Sequence, residues 1–314
     1  MRKLILTLIS ASLFSASVFS GSAIAADAKG HEDLANVEPG KALADGENYH
    51  KVPDWNDIPE EHFGESVKRG YAIFMNSEPL LKDGTVGNGM NCTNCHLSGG
   101  RLENSAPMWG AYVSYPAYRG KNKKVNTYAD RLQGCYAYSM NGKPPAATSD
   151  AIMDLTAYSY WLATNATVNS KIPGRGFPAV KEAEQKPDFA RGHEVYKAEC
   201  ALCHGENGEG QKVGGRYVFP PLWGKDSYNW GAGMHQISSA ANFIKANMPL
   251  SKGNTLTDQQ AWDVSFFVNS HERPQDPRMK TSVAETAKEF HAKDSLYGTP
   301  SAIDQHILGS KPAK

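Results

Sequence analysis

Apolar side chains recur every three or four positions in several stretches of this chain, the spacing that puts them on one face of an α-helix. The pattern predicts helices at Gly64–Asn76, Ser149–Thr164, Phe189–Cys200 and Asp258–Ser270. The clearest of them, Ser149–Thr164, carries its apolar face at Ile152, Leu155, Tyr158 and Leu162. Stretches in which polar and apolar residues alternate are few, so an all-α fold is predicted.

These helices fall into two pairs, and each pair flanks one copy of the motif Cys-x-x-Cys-His. The copies begin at Cys92 and Cys200, 108 positions apart, which indicates an internal repeat. Helix, motif, loops and a closing helix are the plan of a small cytochrome c domain. The predicted fold class is therefore all-α, with two tandem cytochrome c domains, each around a covalently bound haem.

The motif is the attachment signal for c-type haem. Its two thiols form thioethers with the porphyrin vinyl groups, and the adjacent imidazole binds the iron from one side. Attachment is predicted at Cys92, Cys95, Cys200 and Cys203, with iron ligation by His96 and His204. The predicted cofactors are thus two haem c groups with their iron, and each iron needs a sixth ligand or an open position.

The N-terminus is typical of an exported protein. Arg2 and Lys3 precede an apolar stretch that ends at Ala23-Ile24-Ala25, an A-x-A cleavage site. We therefore predict a cleaved signal peptide over residues 1–25, the alternative being an uncleaved anchor. Because haem is attached to this motif outside the cytoplasm, a periplasmic location follows.

Composition predicts the remaining domain limits. The N-terminal cytochrome c domain is expected over residues 26–172 and the C-terminal one over residues 188–275. Residues 173–187 between them are rich in proline, glycine and mixed charge, which is a linker composition. A tail follows over residues 276–314, with one helix capped by Ser282 and Glu285. This helix is expected from Ala287 to Lys293 and should pack along a domain surface.

The charge balance and the cysteine count narrow the function. The chain has 33 basic and 33 acidic residues, a balance that favours neither nucleic acid nor an anionic membrane as partner. No segment after the N-terminal one is long and apolar enough to span a bilayer. Four of the five cysteines are used by the haem motifs, which leaves Cys135 without a disulfide partner.

The sixth ligand of the second haem has four candidates, Met234, His235, Lys245 and Met248. Met248 lies 44 residues after His204 and is followed by Pro249. A thioether directly before a proline, ahead of the closing helix, is the usual ligand in small cytochromes c. We predict Met248, although a methionine that only fills the core is the alternative.

The first haem has two candidates, and spacing alone leaves both open. The same offset from His96 falls on Met140, while Cys135 lies five residues earlier. Thr127 and Gly142 are typical of the start and the end of a helix here. On such a helix Arg131, Cys135 and Ser139 share a face. A cysteine beside an arginine is held in a field that favours the thiolate, the form that binds iron.

Four stretches of the chain resemble the dihaem thiosulfate dehydrogenases, and the resemblance runs from about Gly64 to the C-terminus. They are Tyr115-Pro116-Ala117-Tyr118-Arg119, Arg131-Leu132-Gln133-Gly134-Cys135 with Ser139-Met140-Asn141-Gly142, Gly231-Ala232-Gly233-Met234 with Asn247-Met248-Pro249, and His271-Glu272-Arg273-Pro274-Gln275-Asp276-Pro277. The discriminating feature is the lone cysteine between the arginine and the Ser-Met-Asn-Gly sequence.

The resemblance implies oxidation of two thiosulfates to tetrathionate, which some members reverse. It implies that His96 and Cys135 ligate an active-site haem and that the Met248 haem passes electrons onward, to a partner such as a small periplasmic cytochrome. Substrate contacts are implied for Arg131 and Ser139, and for Arg119 where the loop length allows. Some members have a lysine directly before the methionine, where this chain has Asn247.

Charge gives this reading independent support, since thiosulfate is a dianion. Arg131 is one helical turn from Cys135, which favours a functional role. The lysines of the Arg119–Lys124 run are more simply explained as a solvated loop.

Two other functions remain open: a plain dihaem electron carrier with Met140 on iron, and the cytochrome subunit of a sulfur-oxidising complex. The latter would more naturally have a cysteine ligand at its second haem.

Overall fold

The computed structural model describes residues 49–81, 84–168, 172–291 and 294–313. The predicted signal peptide and the segment up to residue 48 lie outside these residues. The α-helices are α1 His62–Met75, α2 Ser77–Leu80, α3 Leu97–Gly100, α4 Met108–Tyr112, α5 Tyr128–Gly134, α6 Asp150–Leu162, α7 Phe189–Glu199, α8 Ala201–His204, α9 Ile237–Asn247, α10 Asp258–Asn269 and α11 Val283–Phe290. No helix within the described ranges is long and apolar enough to cross a membrane.

Helices α1 and α6 pack against each other and form the core of the first domain. The predicted apolar face of α6 is buried, with Ile152 and Leu162 fully inaccessible. The helices approach closely at Gly70, where a Cβ atom would lie 2.1 Å from the carbonyl oxygen of Asp154. The Asp154 side chain is itself buried and is paired at 2.9 Å with Nε of Arg69. Arg69 and Gly70 of α1 therefore both contact Asp154 of α6, Arg69 through a salt bridge to its side chain and Gly70 through a close approach to its backbone.

The second domain repeats this crossing with α7 and α10. Gly192 is held so closely that a Cβ would lie 2.1 Å from the carbonyl oxygen of Asp263. Nε of Arg191 binds the buried Asp263 carboxylate at 2.8 Å. The same residue types thus make the same contact in both halves, so the repeat extends from the haem motifs to the helix packing. The prediction of two mainly helical cytochrome c domains is confirmed.

Several features of the fold were not predicted from the sequence. Two are short antiparallel hairpins, one of β1 Ala117–Arg119 with β2 Lys124–Asn126 and the other of β3 Gln211–Val213 with β4 Arg216–Phe219. Another is α9, whose buried residues include the small side chains Ala240 and Ala241. Small apolar residues between serines give little periodic signal, and for this reason the helix was missed.

The two domains meet through buried asparagines. Asn229 of the second domain donates from Nδ2 to the carbonyl oxygen of Ala137 at 2.9 Å and to Oδ1 of Asn141 at 3.0 Å. Asn88 of the first domain donates to the carbonyl oxygens of Ser139 at 2.9 Å and Ser227 at 3.1 Å. These bonds hold the segment that follows Cys135 against the second domain.

The tail packs on the second domain, as its composition predicted. Tyr297 and Leu308 bury Trp230 in a small core of their own. The Ser282 side chain caps α11 by accepting from the backbone N–H of Glu285, and this helix ends at Phe290. The predicted helix extended to Lys293, which lies outside the described residues.

We predict that Gly192→Ala destabilises the second domain by about 1–3 kcal/mol, because the added methyl group forces α7 away from α10. Guanidinium unfolding monitored by haem absorbance measures the change. Gly176→Ala is the matched control, since the structure leaves open space at that position. Equal stability of the two variants would contradict the close-contact explanation.

Candidate haem sites and substrate cleft

The first Cys-x-x-Cys-His motif forms a short 3-10 turn over Cys92–Asn94 that leads into His96. Nδ1 of His96 lies 2.7 Å from the carbonyl oxygen of Ala106. A carbonyl oxygen can only accept, so Nδ1 carries the proton and Nε2 presents a lone pair. This is the tautomer that an iron ligand requires.

The second motif has the same arrangement. Nδ1 of His204 donates to the carbonyl oxygen of Pro220 at 2.9 Å, which again leaves Nε2 free to bind a metal. Burial lowers the pKa of His204 and keeps its ring neutral. A mainly apolar cavity of about 180 Å³ opens beside it, lined by Cys200, Cys203, Met248 and hydrophobic side chains.

The structure separates the four candidates for the second sixth ligand. Met248 and Met234 both line the cavity that contains His204. Lys245 is turned elsewhere, because its ammonium group donates to the carbonyl oxygen of Leu256 and pairs with Asp258 at 3.2 Å. His235 contacts His291, with 3.0 Å between its Nε2 and Nδ1 of His291.

Asn247 lies directly before Met248, the position at which the family resemblance implies a lysine in some members. Its Nδ2 donates to the carbonyl oxygen of Asn104, in the other domain, at 2.9 Å and to that of Phe243 at 3.1 Å. The side chain therefore joins the two domains directly ahead of Met248.

The two haem sites share a wall. The cavity beside His204 is lined not only by residues of the second motif but also by Thr93, Asn94 and Cys95 of the first. Nδ2 of Asn94 also donates to the carbonyl oxygen of Tyr217 at 3.0 Å. The attachment motifs of the two domains are therefore neighbours across the interface.

Cys135 lies where α5 changes into a π-helical turn, Cys135–Ser139. Helix α5 begins with the predicted cap at Thr127, and Met140 closes the π turn two residues before the expected stop at Gly142. Nη1 of Arg131 donates to Sγ of Cys135 at 2.7 Å. The His96 ring is an electrostatic neighbour of this thiol, so the two predicted ligands of the first haem lie close together.

The electrostatics distinguish Cys135 from its neighbours. Burial raises the pKa of Cys92 to about 12 and that of Cys95 to about 11. Burial also raises the pKa of Cys135, but the charge of Arg131 and the contact with His96 outweigh it and lower that pKa to about 7. The competing residue, Met140, is buried in the apolar core with Tyr136 and Leu132.

A cleft of about 640 Å³ opens beside this helix. The three predicted substrate contacts, Arg119, Arg131 and Ser139, all line it, although Arg119 is exposed on β1. The structure therefore brings the three residues together on one wall of this cleft.

Sequence reasoning missed the other wall. Lys121 lies in an exposed loop, as expected. Its ammonium group nevertheless donates to the carbonyl oxygen of Gly231 and lies 4.1 Å from the ring centre of Tyr138. Desolvation and the charges of Arg278 and Arg131 lower the pKa of Lys121 to about 7. Arg278 and His235 also line the cleft, and both come from sequence far from Cys135.

A buried chain of polar groups supports this second wall. Asp276 binds the guanidinium of Arg278 with 2.6 Å from Oδ2 to Nη2, and Nε2 of His291 lies 2.8 Å from the same oxygen. Nδ1 of His235 donates to the carbonyl oxygen of Ala232, and its Nε2 lies 3.0 Å from Nδ1 of His291. Asp276 thus holds the Arg278 guanidinium and the His291 ring together.

These side chains fit covalently bound haem. Each site has two free thiols, a histidine with a free Nε2 and a sulfur donor in the neighbouring segment. Within the described ranges, no three His, Cys, Asp or Glu side chains group as the ligands of a bare metal ion. Two thiols followed by a histidine are the groups that covalent attachment of haem requires.

Comparisons with known proteins agree with this arrangement. Residues 80–168 match the SoxA/TsdA cytochrome c domain family, and residues 187–268 match the family of cbb3-type cytochrome c oxidase subunit III. A thiosulfate dehydrogenase of Stutzerimonas stutzeri (strain A1501) is 52% identical over 91% of this chain and 93% of its own length. One from Thiomonas intermedia (strain K12) is 49% identical over 97% of this chain and 95% of its own.

A solved structure extends the comparison to three dimensions. Thiosulfate dehydrogenase TsdBA from Marichromatium purpuratum, in its as-isolated form, superposes with a TM-score of 0.81 at 45% identity. The match covers 86% of this chain but only 59% of that one, so this chain spans about three fifths of the other protein.

Two cytochrome c domains, each with a complete attachment motif, define this chain as a dihaem c-type cytochrome that carries two covalently bound haem c groups. Its sequence identity to thiosulfate dehydrogenases, over most of its length, is more specific than the fold class. The chain belongs to the thiosulfate dehydrogenase family of oxidoreductases.

Proposed function

We propose that this protein oxidises two thiosulfate dianions to tetrathionate, with the reverse reaction open to the same site. A bond forms between the two outer sulfur atoms, and two electrons leave. The haem groups supply one-electron transfer when bound. The observation that carries the proposal is Cys135, which is hydrogen-bonded to Arg131 at 2.7 Å, contacts His96 and lies beside a cleft lined with cations.

The chain's own residues have distinct tasks in this proposal. His96 and Cys135 would hold the iron of the active-site haem, and Arg131 favours the ionised form of the sulfur. Arg131, Ser139 and Arg119 bind the anionic substrate in the cleft. Water is displaced from the apolar side of the site by the core residues Tyr136 and Leu132, which are buried beside Cys135.

His204 and Met248 are the proposed ligands of the second, electron-transfer site. The shared wall formed by Thr93, Asn94 and Cys95 supports a short path between the sites. An anionic sulfur ligand favours ferric iron, whereas a thioether raises the potential, so electrons would run downhill toward the Met248 site. A small soluble cytochrome is the proposed partner that accepts them.

The proposed location is the periplasm, after removal of residues 1–25. This rests on the sequence Arg2 to Ala25 and on the extracytoplasmic attachment of haem to the Cys-x-x-Cys-His motif. The domain limits at residues 172, 188 and 275 remain predictions from composition.

Cys135→Ala should abolish tetrathionate formation and keep both covalent haems, because the thiolate is the proposed ligand and reactive sulfur. Activity assays and electron paramagnetic resonance, in which thiolate-ligated low-spin haem is recognisable, measure the two properties. Cys135→Met is the sharper variant, since it restores a sulfur ligand without a nucleophile.

Met140→Leu is the control, because it conserves volume at the competing position. It should keep both the thiolate signal and the activity. Full activity of Cys135→Ala would favour the plain electron carrier, and full activity of Cys135→Met would exclude covalent chemistry at this sulfur.

Met248→Ala should lower the potential of the second haem, because a weaker donor or water replaces the thioether. We expect a shift on the order of 0.1 V, a fraction of the roughly 0.8 V that axial ligands span. The near-infrared band of the thioether–iron bond should disappear. Met234→Ala, which alters the same cavity, is the control, and loss of the band in that variant instead would assign the ligand to Met234.

Arg131→Ala should raise the KM for thiosulfate about 10- to 100-fold, the usual effect of losing a charged hydrogen bond. Because Arg131 also donates to Cys135, the variant should lower the potential of the first haem as well. Steady-state kinetics at low ionic strength and redox titration measure both. Lys123→Gln removes a charge from the nearby loop and should change neither; an equal effect of the two variants would mean that only the general field matters.

A further inference from the structure

Arg278 reaches the cleft from the tail and leaves one edge of its guanidinium without an acceptor. Nε and Nη2 bind the two oxygens of Asp276 at 2.9 Å and 2.6 Å. The remaining nitrogen, Nη1, is buried, and no described residue provides it with a hydrogen-bond partner. A buried guanidinium donor without an acceptor is rare in folded proteins and calls for a ligand or another explanation.

The fixed position of Arg278 makes it suited to binding rather than to filling space. Asp276 is fully buried as a side chain and is also bound by His291, so the carboxylate cannot follow a moving guanidinium. The side chain of Arg278 also lies over Phe290, 4.1 Å from the ring centre. Because Asp276 holds the guanidinium through Nε and Nη2, the remaining Nη1 is fixed in position for an acceptor.

Lys121 and Arg278 approach each other at the side chain of Tyr138. The ammonium of Lys121 lies 4.1 Å from the ring centre, and the guanidinium of Arg278 lies 5.3 Å from it. Tyr138 belongs to the same π turn as Cys135 and Ser139. Lys121 and Arg278 therefore lie near the cleft wall that carries Arg131, but they form a cluster of cations distinct from Arg131.

We propose that Arg278 and Lys121 form a second anion subsite, which binds one thiosulfate while Arg131 and Ser139 hold the other beside Cys135. The inference rests on the proposed function and adds to it a role for the tail, whose Arg278 completes the cleft. Tetrathionate, with a sulfonate at each end, would bridge the two subsites.

The charges near the cleft support a site for two anions. The buried Asp276 carboxylate binds both Arg278 and the ring of His291, so Arg278 does not have it alone. Asp130, the carboxylate on the cleft wall, is paired with Lys124 at 3.3 Å. Burial and the neighbouring arginines lower the pKa of Lys121 to about 7, so a bound dianion would favour its charged form, and Nη1 of Arg278 is left to bind the same anion.

The test uses the complete holoprotein in its oxidised form, which has no electrons with which to reduce tetrathionate. Isothermal titration with tetrathionate then measures binding without turnover, and steady-state kinetics measure the KM for thiosulfate. Arg278→Gln should weaken tetrathionate binding about 10- to 100-fold. Arg278→Lys should weaken it several-fold, because an ammonium keeps the charge but not the fork.

Lys280→Gln is the matched control, since it removes the same charge from an exposed position two residues further along the tail. It should bind tetrathionate as the unaltered protein does. Both haem potentials should stay unchanged in all three variants, because Arg278 does not contact the proposed iron ligands. A purely structural role of Arg278 would instead lower thermal stability without a selective change in affinity.

Equal affinity of Arg278→Gln and Lys280→Gln would overturn the second subsite while leaving the proposed function intact, provided that the unaltered protein forms tetrathionate. Should Arg278→Gln fail to fold, Arg278→Lys decides, and unchanged affinity in that variant overturns the inference. An unaltered protein that neither binds tetrathionate nor oxidises thiosulfate would refute the proposed function and the subsite together.

Discussion

The contact between Arg131 and Cys135 is the interaction on which the rest of the site depends. A thiol buried in apolar surroundings stays protonated, as the raised pKa values of Cys92 and Cys95 illustrate. Arg131 reverses this for Cys135 by donating at 2.7 Å from one turn earlier on the same helix. The capping box at Thr127 fixes where that helix begins, and the π turn that follows changes the direction of the side chains after Cys135.

Around this asymmetric site the protein has a symmetric frame. The crossings at Gly70 and Gly192 are equivalent, and so are the salt bridges of Arg69 and Arg191. The two halves differ in the segments between the crossing helices, which supply the proposed sixth ligands. At the second site, pairing with Asp258 keeps Lys245 away from the cavity, so geometry and not only sequence offset favours a thioether there.

The sequence predicted the features that are encoded locally. The predicted ends of helices α6 and α10 agree with the structure to within two residues, because their apolar faces are periodic and capping residues mark where they start. Helix α9 was missed because half of its buried residues are alanines and another is an asparagine, which give little apolar periodicity. Long-range contacts were beyond such reasoning: Lys121 turns its ammonium group toward the second domain, where the carbonyl oxygen of Gly231 accepts a hydrogen bond from it.

A cleft between two domains and a tail suits a reaction that must bring two dianions together. At about 5 Å two such charges repel each other by ~3 kcal/mol in bulk water and by more where water is excluded. One arginine beside Cys135 cannot both hold the thiolate and balance this repulsion. Two further cations come from other segments, Arg278 from the tail and Lys121 from the loop of the first hairpin. Asp276 of the tail binds Arg278, and the carbonyl oxygen of Gly231 in the second domain accepts from Lys121. Since Asp276 and His291 fix Arg278 before any substrate arrives, the ordering of that side chain is complete before binding, and the attraction acts on the incoming anion without further rearrangement.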